Sequence, residues 1–163
     1  MILSFLSLSV IATYVGIMIK REGIPYSISA TYYTLEHRWA FGLSMLLTTT
    51  FLYTPLHTDS KTANILSAFA CLGMTITAIA PNFRNKGDKV VHAIGAGLAL
   101  ICSQIYVGMV CPLLLSAWVI YVCCTVFIMD EDENLLSEFL ATKPMFWVEV
   151  VSLLTIYLSI LIR

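Results

Sequence analysis

The feature that most constrains this chain is where its charges are missing. Apart from Glu149, and His92 when protonated, every formal charge lies between or at the edges of long apolar stretches. Met1–Ile19, Trp39–Leu56, Thr62–Phe83, Val90–Met129 and, Glu149 aside, Pro144–Ile162 are nearly uninterrupted by charge. About 20 helical residues cross the hydrocarbon core of a bilayer, so uncharged apolar runs of this length read as transmembrane helices. Val90–Met129 is too long for one span, since a single helix would reach roughly 60 Å at 1.5 Å per residue. It breaks at Gly108-Met-Val-Cys-Pro112, where proline can open a new helix at its first position. The expectation is an all-α, polytopic integral membrane protein. A single domain, 1–163, forms a six-transmembrane-helix bundle with spans near 1–19, 39–56, 62–83, 90–108, 112–129 and 144–162.

Composition excludes several function classes. With 59% of 163 residues hydrophobic, six spans leave little chain for a soluble domain. A net charge of −1 with no basic stripe gives no reason to expect a nucleic-acid partner. The first segment lacks a basic leader and an A-x-A-like site, so it reads as a retained helix. The loops after the first, third and fifth segments carry Lys20, Arg21, Arg38, Arg84, Lys86, Lys89 and Lys143, against Lys61 and Arg163 on the other side. The positive-inside rule then gives a multi-pass cell-membrane protein with those loops cytoplasmic and both termini outside. Cys71, Cys102, Cys111, Cys123 and Cys124 lie within or at the ends of spans with no C-x-x-C pair, and read as small packing residues.

Two connections are more than links. Lys20–Arg38 reads KREGIPYSISATYYTLEHR, with a turn at Gly23-Ile-Pro25 and interfacial Tyr32 and Tyr33. It is either a re-entrant or interfacial turn that seats the second helix, or a lid carrying Ser27, Ser29, Glu36 and His37 over a bundle mouth. Asp130–Glu133 is an acidic run read as a solvated cluster. Leu135, Leu136, Phe139 and Leu140 after it suggest a short interfacial helix.

Within the spans, Asp88, His92, Gly95, Ala96, Ala99, Ser103 and Tyr106 recur at intervals of three or four, which stacks them on one helical face. The Ala93/Gly97 and Gly95/Ala99 pairs are small-xxx-small and should meet other helices. The Gly95, Gly97 and Ala99 surface also suits a homo-oligomer. Glu149 and His92 each lie within the first two turns of a helix entering from the same side, so they share a depth. A lone carboxylate there costs a few kcal/mol on insertion scales. It must be protonated, paired or reached by water, with His92, Arg38, Lys20 and Arg21 as candidate partners. Such a group is either a polar clamp that fixes helix register or a functional site. The candidate site residues are Ser27, Ser29, Asp88, His92 and Glu149. No metal is expected: Asp88, His92, Glu149 and His37 could supply a His/carboxylate set, but nothing resembles H-E-x-x-H. No cofactor is expected either, because histidines at 37, 57 and 92 do not make a haem pair.

The proline-ended third segment AIAPNF, a short charged loop, then VVHAIGAGLAL, with YSISATYY after the first helix, resembles a family of bacterial six-span proteins, domain-of-unknown-function family 998. The resemblance implies a six-helix bundle and a shared polar site involving Ser27 or Ser29 and His92. Ala93 stands after His92 where asparagine is common in that family. It carries no activity with it. Membrane lipid is the expected partner, with a small ion, solute or lipid as ligand, and three readings follow: a small permeation or membrane-perturbing protein, a structural or interaction protein that binds another membrane component, and a lipid-directed enzyme using a Ser/His/carboxylate or metal site. The enzyme reading is the alternative, because no motif sets a nucleophile beside a base.

Overall fold

The computed structural model describes residues 1–82, 84–129 and 135–163. Phe83, the last residue of the expected third span, and the acidic run Asp130–Glu133 lie outside the described residues. Among the described residues all regular structure is helical, with no strand. Seven α-helices follow in order: α1 (Ile2–Glu22), α2 (Trp39–Tyr53), α3 (Lys61–Ile79), α4 (Lys86–Val110), α5 (Ser116–Ile128), α6 (Leu135–Ala141) and α7 (Pro144–Ile162). Three 3₁₀ segments sit between them, at Ser29–Tyr33, Thr54–Leu56 and Pro112–Leu115. Four helices, α1, α3, α4 and α7, are long and apolar enough to cross a membrane. The other two apolar segments are helical but shorter, because Pro55 and Pro112 convert one end of each into a 3₁₀ turn.

Local chemistry sets the helix ends. The last turn of α1 carries Lys20 and Arg21, which complement the negative end of the helix dipole. Gly23 then turns the chain with φ 75° and ψ −169°, a conformation open essentially to glycine alone. Ser60 caps α3 by accepting from Ala63 N–H, and Pro144 opens α7 at a position that needs no donor. The long apolar stretch breaks where expected, with α4 ending at Val110 and Cys111 leaving helical geometry at φ −150°. Trp118 of α5 donates to Gln104 of α4 at 2.8 Å, so the two helices either side of the break are in contact. The backbone neighbours of α5 are the Pro112–Leu115 turn and α7.

The packing is inside-out relative to a water-soluble bundle. Ile65, Ile94, Ile101 and Val119 are largely exposed, whereas Ser7, Thr48, Ser67, Ser103, Thr155 and Ser159 are buried. Apolar side chains that cover the outside have no partner within the chain and suit a lipid environment, which suggests a membrane protein. Helices α1, α2, α3, α4 and α7 pack in sequence and close into a ring where α7 meets both α4 and α1, with α5 outside it against α7.

The closest approach is between α3 and α4. A Cβ added at Gly95 would lie 2.8 Å from Ile76 Cγ2 and 2.9 Å from the Gly73 carbonyl oxygen. One added at Gly73 would strike Ala99 N and the Gly95 oxygen. The Gly95/Ala99 pair therefore meets α3. Gly97 behaves differently: a Cβ there would touch nothing within 4 Å, and Ala93 is exposed. Residues two apart on a helix point to nearly opposite sides, so Gly95, Gly97 and Ala99 do not form one surface. Gly95 and Ala99 are already occupied inside the chain.

Candidate functional site

Four of the five site candidates from the sequence, Ser27, Ser29, His92 and Glu149, converge on one feature. A cavity of about 460 Å³ lies between α2, α3, α4 and α7 and is capped at one end by residues 26–29. Its long axis follows α4 from Lys89 to Ser103, about 21 Å at 1.5 Å per residue. Met45, Leu52, Met74, Leu100 and Ile156 make its walls apolar, and the far end is Leu56. Small residues on α4, Ala93, Ala96 and Gly97, leave room opposite Met145, Val148 and Ser152 of α7. Ala93 of α4 and Met145 of α7 line the cavity and are exposed, as are Tyr26 and Lys89, so the cavity is open near its polar end, with Ala93 and Met145 at the α4–α7 side of that opening.

The polar groups gather at the capped end. Ser27, Ser29, Lys89, His92 and Glu149 all line the cavity there. The chain after Gly23 folds back into the bundle, burying Ser27, Ile28, Ser29 and Thr31. That brings the start of the Ser29–Tyr33 3₁₀ turn, with backbone donors unpaired within the turn itself, against α7. Glu149 accepts them: Ile28 N–H donates to one carboxylate oxygen, and the Ser29 hydroxyl donates to the other at 3.1 Å. Glu149 is therefore partnered by this loop and not by His92, Arg38, Lys20 or Arg21. A carboxylate is the natural complement to such donors. Ser27 Oγ accepts from Ala30 N–H at 2.9 Å and so caps the same turn, while Thr31 Oγ1 is hydrogen-bonded to the Tyr14 hydroxyl of α1.

His92 is held differently. Its Nδ1 lies 2.9 Å from the Ala80 carbonyl oxygen, at the end of α3. A carbonyl can only accept, so Nδ1 carries the proton and the ring satisfies one of the carbonyls a helix terminus leaves open. Asp88 is half-buried on α4 outside the cavity lining, and Glu36 and His37 are exposed and also outside it. The His37 ring stacks near Trp39 instead. Among the described residues no group of three His, Cys, Asp or Glu side chains is placed to hold a metal ion.

No family model, no curated protein and no solved structure matches this chain.

The connection between α1 and α2 is held at a second point. Arg84 lies 4.2 Å from the centre of the Tyr33 ring, and its backbone N–H donates to the Tyr33 hydroxyl at 2.7 Å. The 23–38 connection is thus tied to α7 through Glu149 and to the α3–α4 connection through Tyr33. Sequence reasoning missed a third polar node, Gln104. Its side-chain oxygen accepts from Trp118 Nε1 at 2.8 Å and Thr155 Oγ1 at 3.2 Å, joining α4, α5 and α7. The signal was present, because Gln104 is the chain's single glutamine and stands in the middle of an apolar stretch. At the opposite end Arg163 donates to the carbonyls of Pro55 and His57 and to the Tyr106 hydroxyl, which itself donates to Leu56 O at 2.9 Å.

Proposed function

We propose that this chain is a six-span membrane protein that binds one acyl chain of a membrane amphiphile in the α2–α3–α4–α7 cavity. The observation that carries the reading is a long apolar cavity, polar at one end only, whose exposed lining residues Ala93 and Met145 lie on neighbouring helices and suit an entry between α4 and α7. Its volume falls within the roughly 300–1,000 Å³ of small-molecule sites. Its length exceeds half of a hydrocarbon core about 30 Å thick, which is the reach of a lipid chain in one leaflet. An entry between α4 and α7 admits a ligand from the bilayer, whereas a permeation path needs polar or watered walls along its length.

Six crossings are supported by arithmetic on the two shorter segments. The fifteen α-helical and three 3₁₀ residues of Trp39–Leu56 rise about 28 Å, and the thirteen and four of Pro112–Ile128 about the same. Both approach the core thickness. The excess of Lys and Arg at the Glu149 end favours that end as cytoplasmic, with both termini outside.

The test uses Gly97→Leu. Space is open at Gly97, so the variant should fold while its side chain fills the cavity. Native mass spectrometry of protein purified from membranes should show bound lipid on wild type and its loss on Gly97→Leu. Equal lipid on both would refute the reading. A lipid-directed enzyme is the second reading, favoured by the convergence of Ser29, His92 and Glu149 on one cavity wall. Turnover of a defined lipid by wild type and not by His92→Ala would support it.

A further inference from the structure

The capped end of the cavity carries a cation, and on the acyl-chain reading above this bears on the head group. Lys89 sits one turn before His92 on α4, and its side chain lines the cavity while remaining exposed. A lysine in that position lays its aliphatic stem along apolar surface and keeps its ammonium at the interface. Among the described residues no hydrogen bond or ion pair engages the Lys89 ammonium. Glu149 supplies the lining's carboxylate, and both of its oxygens already accept from the Ser27–Tyr33 lid through Ile28 and Ser29. The depth is also that of a head group. Lys86, Asp88 and Lys89 open α4, and after His92 the helix is free of ionisable side chains until Cys102. The charged region therefore ends where the apolar cavity begins.

We infer that this end selects amphiphiles with an anionic head group, a phosphate or a carboxylate, paired with the Lys89 ammonium while the acyl chain runs along α4 toward Ser103. A zwitterionic head group also offers a phosphate. It brings a second cation to a lining whose carboxylate is already committed, so it is the poorer ligand.

The test compares three amphiphiles with the same tail on detergent-solubilised full-length protein: oleoyl lysophosphatidate, oleate and oleoyl lysophosphatidylcholine. Native mass spectrometry reads the bound fraction over a concentration series. Wild type should prefer the first two over the third by about fivefold, the effect of one interfacial lysine on an anionic lipid. Lys89→Gln should erase that preference and leave binding of the zwitterionic probe unchanged. Lys86→Gln, one turn earlier and outside the lining, should retain the preference. Stronger binding of lysophosphatidate than oleate would identify phosphate as the source, and the reverse would identify carboxylate. If Lys89→Gln keeps the full preference while Gly97→Leu abolishes binding of all three, the head-group inference fails and the cavity reading stands. If Gly97→Leu binds all three as wild type does, the cavity reading itself fails.

Discussion

Glu149→Gln is the most informative single change, because it removes a charge without changing shape. The carboxylate now accepts from Ile28 N–H at one oxygen and from the Ser29 hydroxyl at the other. A glutamine amide keeps an acceptor for Ile28 N–H and turns the other position into a donor, which the Ser29 hydroxyl accepts by reversing its role, so what is lost is the charge in both contacts. A hydrogen bond to a charged group contributes about 1.5–3 kcal/mol against about 0.5–1.5 kcal/mol for a neutral one, so each of the two contacts weakens by about 1–1.5 kcal/mol. The lid should therefore loosen by about 2–3 kcal/mol locally. Global stability should change less, since removing a carboxylate from the bundle relieves an insertion cost of a few kcal/mol. At 1.4 kcal/mol per factor of ten, amide hydrogen exchange across Ile28–Thr31 should accelerate by about 30- to 100-fold. Exchange in the α3–α4 pair should stay as in wild type, because Glu149's hydrogen bonds run to Ile28 and Ser29. Exchange mass spectrometry in detergent reads both regions in one experiment. Unchanged protection at Ile28–Thr31 would refute the argument that Glu149 holds the lid.

Gly95→Ala should destabilise by about 1–3 kcal/mol through overpacking against Ile76 and Gly73, whereas Gly97→Ala should gain about 0.5–1 kcal/mol from helix propensity; thermal unfolding in detergent separates them. Gln104→Leu should cost about 1–3 kcal/mol by stranding Trp118 Nε1, and a shift in tryptophan emission should accompany the lower midpoint. Arg163→Ala should free the carbonyls of Pro55 and His57, with faster exchange around residues 55–58 and no change at Glu149's lid. Single cysteines at 60 and 86 should label from opposite sides of the membrane, and labelling from one side would overturn the six-crossing topology.

What the sequence determined by itself is the set of helical segments and their break points. Excluding charge from a hydrocarbon core is costly to violate, so the apolar runs are legible without any knowledge of packing. Pro112 and Gly23 mark their turns for equally local reasons, a missing donor and a missing Cβ. Periodicity also put His92 and Ser103 on the buried side of α4, and both are buried. It could not tell Gly95 from Gly97, because spacing shows that a residue is small and not which neighbour it meets. Only the assembled bundle sets one against Gly73 and opens the other to a cavity. The partner of Glu149 was hidden for a related reason. It is chiefly a backbone N–H from a loop 121 residues earlier in the chain, and backbone donors carry no residue-type signature. The side-chain partners proposed from sequence were all charged or titratable. Tertiary structure chose a loop instead, because a folded-back 3₁₀ turn presents uncommitted donors at the depth where α7 carries its carboxylate.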